Sequence, residues 1–282
     1  MSIKVITDSS AYLANPKFCK AHDVTVAPIG IRVGGELVAE DTLTTEELFE
    51  RLAPGEVPEL VAPSARQFAD VFEPLSRQAD TILAIHCSGQ LLPVPQNART
   101  GADYVLGRTH VHVIDTGSIS LGLGAVVETA VRAVEAGGTL EDIIRLTRGC
   151  MQRLYSVFFS ERLDYLGKSG QLGQAHALVG EMLGIKPILN LEEGAFSPME
   201  KATTRESAIE KLVEFSIEIA DIERSGIIQA SPRPTPETRR LIELLNAEGG
   251  VKREWPLIPM PPSLAVMLGP GAMGVMIVEA PK

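Results

Sequence analysis

From its first residue to about residue 150 the chain alternates short apolar runs with stretches of helical periodicity. Ile3-Lys4-Val5-Ile6, Thr81 to His86 and His110 to Ile114 read as strands. Thr45 to Leu52 reads as a short helix that Thr44 or Thr45 can cap. Ser64 opens another, in which Phe68, Val71, Phe72 and Leu75 recur at helical spacing. Leu121 to Ala136 is a third, stopped by Gly137-Gly138. Thr139 to Ser156 is a fourth, opened by the capping box Thr139-Leu140-Glu141-Asp142. Alternation of this kind argues for a mostly parallel sheet with helices on both faces.

The second half is patterned differently. Val157-Phe158-Phe159 reads as a strand, followed by a polar glycine-rich segment and a helix from Ala175 to Leu183. Lys186 to Leu191, Phe196 to Lys201, Gly226 to Ala230 and Gly274 to Val278 read as strands, with helices at Ser207 to Ile222 and Pro236 to Asn246. The expected fold class is therefore α/β with two domains. Residues 1–150 form a three-layer α/β/α Rossmann-like domain with a mostly parallel sheet, and residues 151–282 an α+β domain with a mixed or antiparallel sheet. Val24 to Val33 reads as extended and returns through Gly34-Gly35 as Glu36-Leu37-Val38. This hairpin, 24–38, is placed so that it can pair with the second domain.

Composition narrows the function. Apolar residues make up 45% of the 282, yet there are only 1 Trp, 4 Tyr and 8 Phe, so the core is aliphatic. The net charge of −10 and the absence of Lys/Arg clusters argue against a nucleic-acid partner. Cys19, Cys87 and Cys150 are far apart, which suits a reduced compartment. The first residues lack signal-peptide architecture, so a cytoplasmic location is expected. The uncharged run Pro256 to Val278 carries five prolines and three glycines, too many breakers for a spanning helix, so no integral membrane segment is expected.

Local chemistry is sparse. Asp8 and Asp115 each follow an apolar strand and precede a hydroxyl-bearing turn. Strand C-termini form the ligand crevice of open α/β sheets, so a metal or acid–base pair is conceivable. Helix capping is the favoured reading, because no carboxylate–His spacing joins the two. His110 and His112 share one strand face without an obvious third metal ligand, and read as a surface or half-buried pair. Gly269-Pro270-Gly271-Ala272-Met273-Gly274 fits G-x-G-x-x-G but precedes a terminal strand, so it reads as a tight turn. Ser118 to Gly122 misses the nucleophile-elbow pattern by its first glycine. No cofactor, metal site or catalytic residue is expected.

Several segments in order resemble the DegV family, which includes the fatty-acid-binding subunits of bacterial fatty acid kinase. They are Val5-Ile6-Thr7-Asp8-Ser9-Ser10, Val113-Ile114-Asp115 with Ser120-Leu121-Gly122-Leu123-Gly124, and Leu163-Asp164-Tyr165-Leu166-Gly167-Lys168-Ser169-Gly170. Gly184-Ile185-Lys186-Pro187-Ile188-Leu189 and Gly269-Pro270-Gly271 complete the set, which spans nearly the whole chain. The resemblance implies an acyl chain held in a tunnel between two domains. It also implies a carboxylate held by hydroxyls from a Thr-Ser-Gln-Pro segment and a Ser-Gly-Thr turn. An Arg and a His near the opening would support phosphoryl transfer on a kinase partner.

At each of those places this chain departs from the pattern. Leu60-Val61-Ala62-Pro63 stands for the first segment and Leu92-Pro93-Val94 for the second. Gln171 replaces an arginine in Ser169-Gly170-Gln171-Leu172, Thr203 replaces another, and Met267 replaces the histidine. An acyl chain can bind without its head group, because each buried methylene contributes about 0.8 kcal/mol. A buried carboxylate without donors is penalised. Ser64, Ser88, Gln90, Gln171 or backbone N–H groups are candidates to hold it, while Thr7, Asp8, Ser9, Ser118 and Gly122 are expected near the tunnel wall. The expected function is a lipid carrier, not itself an enzyme, that binds a long-chain fatty acid or related lipid. Its coupling to a fatty acid kinase is expected to be weakened, and the acidic net charge fits the missing arginines. The alternatives are a hydrolase or phosphotransfer-type enzyme using Asp8 and Asp115, and a ligand-free interaction protein.

Overall fold

The computed structural model describes residues 2–249 and 253–281. Its first half runs β1 (Ile3–Asp8), α1 (Phe18–Ala21), β2 (Thr25–Ala27), β3 (Gly30–Val33), β4 (Glu36–Ala39), α2 (Thr45–Glu50), β5 (Glu59–Val61) and α3 (Ala65–Leu75). It continues through β6 (Thr81–His86), α4 (Val94–Ala102), β7 (His110–Asp115), α5 (Ser120–Glu135) and α6 (Leu140–Met151). The second half runs β8 (Leu154–Phe159), α7 (Leu163–Lys168), α8 (Gln174–Met182), β9 (Lys186–Glu192), β10 (Ala195–Ala202) and α9 (Arg205–Ile217). It ends in β11 (Ile222–Gln229), α10 (Pro236–Glu248), β12 (Leu257–Pro259), α11 (Pro262–Leu268) and β13 (Met273–Glu279).

Four strands form a parallel sheet in the order β2-β1-β6-β7. Six form a second sheet, β10-β9-β8-β13-β11-β12, in which only β11 and β12 pair in parallel. The α/β class, with a parallel sheet and a mixed one, is thus as the sequence predicts. A third, antiparallel sheet of β4-β3-β5 lies apart from both.

Helix α5 shows why the layers stack as they do. It packs against β1 and β6 on one side and β13 on the other. Twelve of its sixteen residues are buried. A helix apolar all round needs cover on every face, and a position between two sheets supplies it. Small residues permit the close approach: a Cβ on Gly124 would lie 1.8 Å from the Tyr12 carbonyl oxygen. Beyond β13, period-2 alternation divides two cores. Phe158, Ile228, Met276 and Val278 face the side of α5. Val157, Phe159, Ile227, Val275 and Ile277 face α9 and α10.

Three expectations need correction. Val24 to Val33 is not one extended segment: β2 joins the parallel sheet, and β3 pairs with β4 and β5 instead. Of the segment 24–38, β2 thus belongs to the parallel sheet, and β3 and β4 pair in the small third sheet. Pro28 cannot donate to a ladder, and the Ile29 amide turns aside to Ser9 Oγ at 2.9 Å. The helix begun at Thr139 stops at Met151, because Leu154, Tyr155 and Ser156 pair with Val278, Ile277 and Met276. Helix α7 occupies the stretch read as a polar glycine-rich segment; its buried Leu163, Tyr165 and Leu166 drive it. Strands β5 and β12 and helices α4 and α11 are further elements beyond the sequence reading. Among the described residues no helix is long and apolar enough to cross a membrane.

Candidate functional site

Three strands of the parallel sheet end on one row of polar side chains. His86 and Asp115 are register partners on β6 and β7. Ile6 pairs with Ala84, so two residues further along Asp8 comes alongside His86. In-register residues on parallel strands point to the same face, and His86 Nδ1 meets Asp8 Oδ2 at 3.1 Å. Asp8 Oδ2 also accepts the Cys87 amide at 2.8 Å, and Oδ1 accepts the Ser10 hydroxyl at 2.5 Å and its amide at 3.2 Å. Burial alone would push this carboxyl up, but His86, Ser10 and the Cys87 amide together hold it below its ordinary 3.8.

Neither aspartate caps a helix, contrary to the expectation. The helix after β1 begins only at Phe18, and the N-cap of α5 is Ile119. Asp115 instead accepts the Gly89 amide at 3.2 Å and the Gly117 amide at 3.1 Å. The two carboxylates thus hold the same turn, residues 87–89, from both sides. Gly89 is required there: a Cβ would approach Asp115 Oδ2 to 2.7 Å. Asp8 is 0% exposed with both oxygens bonded, so it braces the fold and is shut off from substrate. Burial, reinforced by the Asp8 and Glu40 carboxylates, pushes the Cys87 thiol well above 9.0, so it is an inert thiol.

The same turn leads into Leu92-Pro93-Val94, expected from the resemblance at a carboxylate site. Ser88 Oγ donates to the Gly194 carbonyl at 2.6 Å, tying the turn to the β9–β10 hairpin. Gln171 Nε2 reaches the Leu91 carbonyl at 3.4 Å. Leu92, Val94 and Met267 are buried in one apolar cluster, and Leu60 packs against it. Val61 is half-buried on β5, and Pro93 is exposed as the N-cap of α4. Strand β5 packs against α11, and Gln171 reaches the 91–92 turn.

The other polar candidates disperse. Ser64 is exposed and caps α3 reciprocally with Gln67. Ser88, Gln90 and Ser118 line an open polar cleft of about 630 Å³ with Asp115 and Arg148. Ser9 lies elsewhere, donating to Glu40 Oε2 at 2.5 Å. Thr7 is buried, and its Oγ1, like His86 Nε2, has no hydrogen-bond partner among the described residues. Gly122 is wedged against Ser118: a Cβ would lie 2.1 Å from Ser118 Oγ. Gln171 reaches the backbone beside Leu92 with its side chain, and the Ser88 carbonyl accepts the Leu91 and Leu92 amides at 3.1 Å.

The remaining motifs behave as read. Gly269 and Gly271 take φ of +80° and +81°, and the turn leads into β13 rather than a helix. His110 is exposed and His112 half-buried. Burial, with His110 and Arg148 nearby, lowers the His112 value. Among the described residues no three His, Cys, Asp or Glu side chains are grouped to hold a metal. Two residues escaped the sequence reading. His86 could have been found by aligning the three strand C-termini as neighbours. Glu40, 2% exposed between Ser9 and Ser263, gives no sequence signal of its burial.

Comparison with known proteins supplies the family. A DegV domain-containing protein of Streptomyces coelicolor is 30% identical over 220 residues, 77% of each chain. A fatty acid binding DegV family protein of Streptococcus agalactiae superposes with a TM-score of 0.87 at 27% identity, covering 99% of each chain. A DegV family protein of Thermus thermophilus, described by its fatty acid binding, gives 0.85 at 26% identity, covering 99% of this chain and all of that one. The family model described as "Uncharacterised protein, DegV family" matches residues 2–280. With that match running from β1 through β13, the chain belongs to the DegV family.

Proposed function

We propose that this protein binds a long-chain fatty acid or related lipid and carries it rather than transforming it. The acyl chain would lie between the parallel sheet and the six-stranded sheet, with its head near β5, the 91–92 turn and α11. The observation that carries this reading is whole-chain similarity to structures described as fatty-acid-binding, with the divergent positions Leu60, Leu92 and Met267 converging on one apolar cluster. A domain division near residue 150 is part of the reading.

An apolar mouth changes how the head group is held. Gln171 is the side-chain donor close to Leu92, the Leu91 and Leu92 amides being already bonded to the Ser88 carbonyl, and a neutral head group suits it better than an ionised carboxylate. Coupling to a fatty acid kinase is proposed to be weak, because Gln171, Thr203 and Met267 offer no basic group. The enclosed, fully bonded Asp8 favours the carrier reading over catalysis by Asp8 and Asp115.

Organic extraction of the purified protein followed by mass spectrometry tests the reading. A stoichiometric fatty acid or neutral lipid is expected. An empty protein that also fails to take up added oleate overturns the proposal in favour of a filled interior.

A further inference from the structure

A second pocket lies away from the Leu92 region. It has a volume of about 370 Å³ and forms where the loop after β1, the segment 40–46 and the proline-rich approach to α11 meet. That volume falls within the range of small-molecule pockets, about 300–1,000 Å³. Its walls are apolar, built by Pro232, Pro259, Pro261 and Pro262 with Leu43.

Its polar groups carry one sign. Glu40 lines the pocket although it is only 2% exposed, so its carboxyl is the buried polar feature of the site. Glu46 is exposed at the rim, and Tyr12 is among the lining residues. No Lys, Arg or His is among the lining residues. The Glu40 oxygens each accept one bond, from Ser9 Oγ at 2.5 Å and from the Ser263 amide at 2.7 Å. Each oxygen retains a lone pair for a further donor. Burial pushes the Glu40 carboxyl above its ordinary 4.5, and the bonds from Ser263 and Ser9 only partly oppose this. A buried carboxylate without a counter-charge is penalised, and a cation that supplies one recovers the penalty. A fatty acid carboxylate would meet two like charges here, so the pocket selects against the ligand class proposed above.

We propose that this pocket is a separate ligand site for an amphipathic organic ammonium, whose charged end reaches Glu40 and whose alkyl part lies on the proline wall. The alkyl portion gains by burial on Pro259, Pro261 and Leu43. The ammonium replaces water with a carboxylate and the hydroxyls of Ser9 and Thr45, which line the same pocket.

Calorimetric titration of the full-length protein with hexylammonium chloride tests the site. Saturable one-to-one binding is expected, weakened at least tenfold by Glu40→Gln. Hexanol and sodium hexanoate, of matching length, should bind at least tenfold more weakly than the amine. Pro232→Arg, an exposed rim change that adds a positive charge, should also weaken the amine at least tenfold without touching the buried carboxyl. Binding of hexanol as tight as the amine, affinity unchanged in both variants, or no saturable binding overturns the proposal. Displacement of the amine by oleate would place it in the acyl site and overturn it as well; unchanged affinity with oleate present supports it.

Discussion

Asp8 and His86 stand 78 residues apart in sequence and meet at 3.1 Å, with neither side chain exposed. Their contact joins the carboxyl ends of β1 and β6 and fixes the backbone that enters the 87–92 turn. Because Asp8 also receives the Cys87 and Ser10 amides, removal of its carboxylate leaves buried donors without acceptors. Asp8→Ala is expected to lower unfolding free energy by about 3–5 kcal/mol. Urea titration checks this; a loss below about 1 kcal/mol would show that the row is dispensable.

The two buried carboxyls act oppositely with pH. Asp8 has a folded pKa below its unfolded value, so its contribution is present above about 3.8 and is lost as pH falls through the folded value. Glu40 has a folded pKa above its ordinary 4.5, so the folded state holds the extra proton and stability falls as pH rises from 4.5 through the folded value. Glu40→Gln removes that second dependence. Its melting temperature relative to the unaltered protein should therefore rise between pH 4 and pH 8. A constant difference across that range would refute the assignment.

Two glycines in neighbouring helices should respond with opposite sign. Gly124→Ala drives a Cβ to 1.8 Å from the Tyr12 carbonyl oxygen, a backbone atom that cannot step aside alone. A loss of about 2–4 kcal/mol or failure to fold is expected. Gly149 in α6 has nothing within 4 Å of its would-be Cβ. Gly149→Ala should raise stability by about 0.5–1 kcal/mol through helix propensity. Thermal denaturation of both variants separates packing from propensity.

Kinase coupling can be rebuilt if the reading of the divergent positions is right. Leu92→Ser, Gln171→Arg, Thr203→Arg and Met267→His together restore the hydroxyl and basic groups of the family pattern. Phosphoryl transfer to a fatty acid loaded on this protein, assayed with a bacterial fatty acid kinase, should rise at least tenfold. Equal transfer before and after the four changes would show that the unaltered chain couples fully.

Much of the fold is legible in the residues because periodicity is local. The alternation of Val157, Phe158 and Phe159 on one strand, and the largely apolar sequence of α5, already say which faces need cover. The capped starts of α2 and α3 at Thr44 and Ser64 follow from bonds spanning three residues. Misreadings fall where tertiary pairing overrides local preference. Leu154 to Ser156 could extend a helix, but β13 offers a ladder partner for each. Helix α7 is short and glycine-bearing, and only burial of Leu163, Tyr165 and Leu166 selects it.

The site divides along the same line. The family resemblance is written in the sequence, because it rests on residue identities in recognisable order; the reading of Leu60, Leu92, Gln171 and Met267 as substituted site positions is a proposal built on it. That Asp8 pairs with His86, and that Glu40 is enclosed without a basic partner among the described residues, are decided only by the tertiary structure. Nothing within several residues of either carboxylate specifies its partner. Strand register brings His86 to Asp8, and the docking of segment 40–46 on α11 buries Glu40. Periodicity sets which residues must leave water; the long-range packing of sheets and helices sets which polar groups leave with them.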